Sequence, residues 1–110
     1  MVILTRMYDL LKWIIPVTEK FPKSQRFITT QRLQEAVFDL QEMLLEANAL
    51  SGPARFARLQ QADGELSKIR LYLRLTHEWR WISTGQYEHV SKMIAEIGRL
   101  LGGWMKQSKG

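Results

Sequence analysis

Residues 87–104 read YEHVSKMIAEIGRLLGGW. In this stretch Tyr87, Val90, Ile94, Ile97, Leu101 and Trp104 recur at alternating steps of three and four. At 3.6 residues per turn that spacing draws one stripe along a helix. The same spacing occurs three more times. It runs through Ile3, Met7, Leu10, Ile14, Val17 and Phe21, and through Thr30, Leu33, Val37, Leu40, Leu44 and Ala47. Leu59, Ala62, Leu66, Ile69, Leu73 and Thr76 form the last set. No stretch alternates with period two for long enough to make a strand. Four amphipathic helices with short connections predict an all-α chain, an antiparallel up-down four-helix bundle forming one domain over residues 1–110.

The turn residues agree with that layout. Ser51-Gly52-Pro53 closes the second helix, with Gly52 suited to its C-cap, and opens the third, where proline loses no needed hydrogen bond. Ser83-Thr84-Gly85-Gln86 has the spacing of a capping box. Pro16 either kinks the first helix or ends it early, and Val17 and Phe21 favour a helix that runs past it. In FPKSQRF, residues 21–27, Pro22 is placed to start the second helix, with Phe21 and Phe27 anchoring both ends of the corner to the core. Only the last few residues, KQSKG, are expected to fray.

The first helix carries a second apolar row, Leu4, Tyr8, Leu11 and Ile15. It lies roughly 110° around the helix from the seam at 100° per residue. The longer seam row is assigned to the core, although the two roles could be exchanged. Trp13 adds apolar area on the other flank. An apolar surplus of this size points to a homo-oligomer through the second row, or else to a wide core within one chain. It fits three, four or five subunits. Trp79 and Trp81, either side of Arg80, read as core packing or an end cap of the bundle.

Net charge is +5 over 110 residues, and its distribution is uneven. Residues 1–52 hold six Lys/Arg and six Asp/Glu, whereas residues 53–110 hold ten and five. That asymmetry suggests a polyanionic partner, or a solvated surface with a chance excess of arginine. The absence of cysteine excludes a disulfide framework and fits a reducing cytoplasm. Arg6, Asp9 and Lys12 interrupt the N-terminal apolar run, so neither a signal peptide nor a membrane association is expected.

Catalytic chemistry finds no support in the residues. Arg74 and Gln86 stand where Glu-x-x-His pairs ending at His77 and His89 would need carboxylates, which excludes a di-iron site of the bundle type. No nucleotide-binding, metalloprotease or nucleophile-elbow motif occurs. No metal, cofactor or small-molecule substrate is expected.

The basic residues form short rows instead. Arg70, Arg74 and His77 share one face of the third helix, and Arg55 and Arg58 lie at its start. Lys92, Arg99 and Lys106 stack along one edge of the fourth, where Glu96 would partly neutralise Arg99. Lys23 and Arg26 lie three apart in the first turn of the second helix, where the helix dipole disfavours cations. Such rows can follow a phosphate backbone with salt-sensitive, largely sequence-tolerant affinity. They can equally be solvated faces balanced by Glu65, Glu78, Glu88 and Glu96.

Two longer stretches, YDLLKWIIPVTEKFPKSQRF and LRLTHEWRWISTGQYEHVSKMIAEIGRLLGGW, are recognisable together. The chain resembles, over nearly its whole length, the accessory variability determinant (Avd) family of diversity-generating retroelements. More distantly it is similar to the four-helix proteins encoded within intervening sequences of bacterial 23S ribosomal RNA genes. The resemblance implies a homopentameric barrel of four-helix protomers without catalytic residues. It also implies binding to nucleic acid, RNA or DNA, and to the element's reverse transcriptase, which copies a template RNA with adenine-directed errors to diversify a target gene. Against the strongly basic character of that family, a net +5 is moderate, and it puts affinity without the polymerase in doubt. On charge and facing, the contact candidates are Lys23, Arg26, Arg70, Arg74 and Arg99, supported by Arg55, Arg58 and Lys92. The alternative is a protein-interaction module of the intervening-sequence type with no direct nucleic-acid role.

Overall fold

The computed structural model of the chain describes residues 1–109. It contains α1 (Val2–Thr18), α2 (Gln31–Ala49), α3 (Gly52–Glu78) and α4 (Thr84–Lys109). A 3₁₀ turn at Lys23–Gln25 and a π turn at Arg26–Thr30 lie between α1 and α2. No strand occurs among the described residues. The helices run up, down, up and down, and each packs on the next, with α4 closing on α1. The result is a bundle 44 Å long and 26 by 19 Å in cross-section.

The seams make the core. In α2 and α3 every seam position is buried, from Thr30 to Ala47 and from Leu59 to Thr76. In α4 Val90, Ile94, Ile97, Leu101 and Trp104 are buried and Tyr87 is half-buried. Each large aliphatic side chain taken from water here contributes on the order of 1.5–3 kcal/mol. In α1 the row Ile3, Met7, Leu10 and Ile14 faces inward, which settles which of its two apolar rows is the core row. The helix passes Pro16 and ends at Thr18. Thr18, not Val17, takes the last seam position, and Phe21 reaches the core from the turn beyond. The Thr18 hydroxyl donates to the Ile15 carbonyl at 2.9 Å and accepts from Gln34 Nε2 at 2.9 Å, tying α1 to α2.

Three local expectations need correction. Phe27 does not anchor the corner; it is 80% exposed, while Phe21 is buried. On a regular helix Phe27 would precede Thr30 on the seam. The wider π turn rotates the residues before Thr30, so Phe27 and Ile28 swing out and Thr29 turns in. Pro22 caps the short 3₁₀ turn rather than starting α2, which begins only at Gln31. Gly52 is not the C-cap of α2: Leu50 is, in an extended conformation. Gly52 does adopt a left-handed φ of 57°, but at the entrance to α3, behind the N-cap Ser51.

At the top of the bundle, Ser83 and Gln86 form the expected capping box. Ser83 N–H donates to Gln86 Oε1 at 2.8 Å and Gln86 N–H donates to Ser83 Oγ at 3.0 Å. α3 ends in a Schellman motif. Trp81 N–H donates to the Thr76 carbonyl at 2.9 Å and Arg80 N–H to the His77 carbonyl at 3.0 Å. Arg80 holds the left-handed position of that motif, with φ 61°, where glycine is usual. Trp81 then packs on Phe21, with ring centroids 5.3 Å apart, and on Trp79 at 4.9 Å, capping the end of the core.

Arg80→Gly should stabilise the fold by about 1 kcal/mol, because it removes the Cβ clash of a left-handed residue. Urea denaturation followed by circular dichroism will show the midpoint rise; an unchanged or lower midpoint would mean that the arginine side chain stabilises the corner.

Candidate nucleic-acid interface

The long buried seams of α3 and α4 hold these helices side by side, and this pairing creates a groove on the surface of the molecule. On α3, Arg70 and Arg74 lie one turn apart beside the seam and are exposed. The facing side of α4 presents small residues at helical spacing, Ser91, Ala95 and Gly98. A Cβ built on Gly98 would lie 2.6 Å from an Nη of Arg70 and 3.5 Å from Leu66 Cδ2. Arg70 therefore extends across the groove into space that only glycine leaves open. The groove is open to solvent and has a volume of about 470 Å³, with Arg70, Arg74 and Leu71 on one side, Tyr87, Ser91 and Ala95 on the other, and Leu73 and Ile94 at its floor.

No carboxylate among the described residues lines this groove. Among the described residues Arg70 has no acidic side chain within 4.0 Å, and Arg74 reaches Glu78 only at 3.8 Å between exposed groups. Two arginines at i and i+4 repel by a few tenths of a kcal/mol. Along one wall, Tyr87 stacks face to face on His77, with centroids 4.3 Å apart and planes 3° apart.

The other candidate cations are differently placed. Lys92 is exposed on α4, does not line the groove, and among the described residues has no carboxylate within 4.0 Å. Arg99 grips Glu96 with two hydrogen bonds, Nη2 to Oε1 at 2.7 Å and Nε to Oε2 at 3.1 Å. Those bonds hold the Glu96 carboxyl below the usual carboxylate range and raise the arginine. Lys23 and Arg26 are exposed and line a second cleft of about 420 Å³ at the α1–α2 corner, together with Phe21, Thr30 and Gln34. Glu19 lies in that cleft as well, so its charge is mixed.

Two residues are occupied by the fold. The Arg55 guanidinium donates to the Ala47 carbonyl at 3.0 Å and the Asn48 carbonyl at 3.4 Å, and it lies 5.7 Å from the centre of the Trp104 ring. It thereby satisfies the C-terminal carbonyls of α2, the task expected of a glycine cap. Arg58 pairs with Glu46 at 2.9 Å, also joining α3 to α2.

Of the expected interface row, Leu4, Leu11 and Ile15 are half-buried against the core within one chain, and Tyr8 is 58% exposed. Sequence reading missed a row on α2, where Phe38 and Leu45 lie two turns apart and both are half exposed. Their seven-residue spacing was the available signal. It was hidden because each follows a seam residue directly, Val37 and Leu44, and precedes an acid, Asp39 and Glu46.

The bAvd-like family profile matches residues 1–108. The chain belongs to the bAvd-like family. The bundle of this bAvd-like chain is also similar to a crystal structure from Bacteroides thetaiotaomicron, a protein with unknown function from the S23 ribosomal protein family. The TM-score is 0.85 at 20% identity, and the match covers 96% of each chain. At that identity the likeness shows the shared four-helix fold. Among curated proteins none is significantly similar to the chain in sequence. No helix among the described residues is long and apolar enough to cross a membrane.

Two outcomes test this geometry. Gly98→Ala should leave the bundle folded and raise its stability by about 0.5–1 kcal/mol through helix propensity, while a crystal structure shows the Arg70 guanidinium displaced from α4. A loss of stability would mean that the Arg70–Gly98 contact contributes to folding. The Glu96 carboxyl should titrate below its ordinary value of 4.5. Its folded value is depressed, so its small stabilising effect is complete above 4.5 and is lost as pH falls through the lowered value. Titration followed by carboxyl carbon NMR, with Arg99→Gln restoring the ordinary value, checks this.

Proposed function

We propose that this bAvd-like protein is a non-catalytic accessory protein that binds nucleic acid. In this reading it associates with a retroelement reverse transcriptase in the cytoplasm and supports reverse transcription of a template RNA in mutagenic retrohoming. Membership of the bAvd-like family supports the setting. One observation carries the binding role: Arg70 and Arg74 share a groove that no carboxylate lines, and the missing Cβ of Gly98 admits the Arg70 guanidinium. Among the described residues Arg70 has no acid within 4.0 Å and Arg74 only a loose pair with Glu78 at 3.8 Å, which suits both to phosphate, a group that guanidinium binds with two parallel hydrogen bonds. Lys92 extends the positive surface, with Lys23 and Arg26 as a separate contact at the corner. Arg99 joins them where an incoming phosphate displaces Glu96.

Reversing both groove charges tests the role. The Arg70→Glu, Arg74→Glu double variant should keep its helical circular dichroism and bind RNA about ten- to a hundredfold more weakly near 0.1 M salt. The slope of log affinity against log salt should fall by about two, one for each lost phosphate contact. Unchanged affinity at low and high salt overturns the assignment.

Assembly belongs to the same proposal. The protein forms a homo-oligomer, a pentamer in the family's manner, through the α1 row of Leu4, Tyr8, Leu11 and Ile15. Repetition of the groove around a symmetry axis multiplies a modest affinity per protomer, which compensates for a net charge of only +5. Tyr8→Glu changes an exposed position, so the bundle should survive while the mass measured by light scattering falls toward 12.9 kDa. An unaltered mass would place the interface elsewhere, with the Phe38–Leu45 row the next surface to test.

A second reading has its own support. The ion pairs Arg58–Glu46 and Arg99–Glu96 neutralise two of the candidate cations, as expected of a protein-interaction module of the intervening-sequence type. Protein purified free of nucleic acid, with no mobility shift on RNA or DNA, would favour it.

A further inference from the structure

We infer that the α3–α4 groove takes one unpaired nucleotide, so that the protein holds nucleic acid there as a single strand: the base lies against Tyr87 and the apolar floor, and its phosphate meets Arg70 and Arg74. This inference rests on the nucleic-acid reading above and narrows it.

The shape of the site separates the two forms of nucleic acid. A duplex offers a protein its phosphates and the edges of paired bases, and surface rows of cations are enough to hold it. A half-open hollow of about 470 Å³ with a floor of Leu73 and Ile94 adds nothing to such contacts. It is instead within the range of pockets that bury a small flat ligand. A single strand can turn a base into it, because its bases are free to be splayed out and stacked on aromatic side chains.

The two sides of the groove supply the two halves of a nucleotide site. Tyr87 is fixed before any ligand arrives, since His77 covers it at 4.3 Å with the rings parallel within 3°. A ring already immobilised loses little entropy when a base packs against its remaining surface. Arg70 and Arg74 supply positive charge about one helical turn apart, without an acid among the lining residues. The small side chains of Ser91 and Ala95 keep the α4 wall low beyond Tyr87. A docking protein helix, about 10 Å across, would need an apolar strip two or more turns long. Of the groove's large aliphatic side chains, Leu71 is the one that stands exposed, at 54%.

The test uses the full chain and a labelled 20-nucleotide strand, as DNA and as RNA, against the duplex of the same sequence, read by fluorescence anisotropy. Single strands should bind about tenfold more tightly than the duplex. Tyr87→Ala should cost about tenfold on single strands, the scale of one stacked base, and leave duplex affinity unchanged. Tyr87→Phe, which keeps the ring, should restore it. Because Tyr87 is half-buried, Ser91→Glu provides a second variant at an exposed groove position, and it should weaken single-strand binding to a similar extent. Equal affinity for strand and duplex, with Tyr87→Ala and Ser91→Glu both silent, overturns the groove inference and leaves the accessory role standing. Failure of strand and duplex alike to bind at low salt overturns the nucleic-acid role itself. A change in solution mass in these variants, with affinity unaltered, overturns the inference in favour of an interface between protein copies.

Discussion

The structure depends on four apolar seams being buried against one another along their full length. Ile3 to Ile14, Leu33 to Ala47, Leu59 to Leu73 and Val90 to Trp104 leave no seam side chain of α2 or α3 in water. Such a core favours one alignment of the helices, because sliding a helix by a turn would expose one end of its seam. Once α3 and α4 are aligned in this way, the residues beside their seams have no freedom of placement. Arg70 must face Gly98, and Tyr87 must face His77. The groove is thus a consequence of core packing, although the exposed Arg70, Arg74 and Ser91 contribute nothing to that core.

Several local choices are unfavourable when each element is taken alone. Arg80 occupies a left-handed position that suits glycine. Arg70 and Arg74 place like charges one turn apart. Gly98 sits in the middle of a long helix, where alanine would be about 1 kcal/mol better. At the neighbouring corner a π turn holds Phe27 and Ile28 out in water. Folding alone accounts for none of these, and departures from local consistency are expected where a chain meets a partner. By contrast, the lower end of the bundle is locally consistent, with Arg55 satisfying the carbonyls at the end of α2 and packing over Trp104.

Charge number is a poor guide to a binding surface in this protein. The second half holds the entire surplus, yet Arg55 serves as a cap, and Arg58, Lys68 and Arg99 each face a glutamate at 3.0 Å or less. Of those that remain, Arg70, with no acid within 4.0 Å among the described residues, and Arg74, with Glu78 only at 3.8 Å, share one groove. An ion pair between exposed groups is worth little to stability, but it lowers the field that a phosphate would feel. The arrangement of acids therefore decides which cations can act.

The sequence by itself determined the helices and their inward faces. A three-four spacing has one physical solution, a stripe on a helix, and it was strong enough to carry α1 through Pro16. The capping box was equally legible, since Ser83 and Gln86 bond only to each other's backbone. Local rules failed where a long-range contact decided the outcome. Phe27 read as a core anchor because nothing in FPKSQRF announces a π turn, and Gly52 read as a cap because Arg55 cannot be seen to do that work from its position in the chain. The row of Arg70, Arg74 and His77 was visible along one helix, but its meaning was not. Only the packing of α3 on α4 placed those side chains against Gly98 and Tyr87, residues some ten to thirty positions away, because a groove belongs to two helices and a periodic pattern describes one.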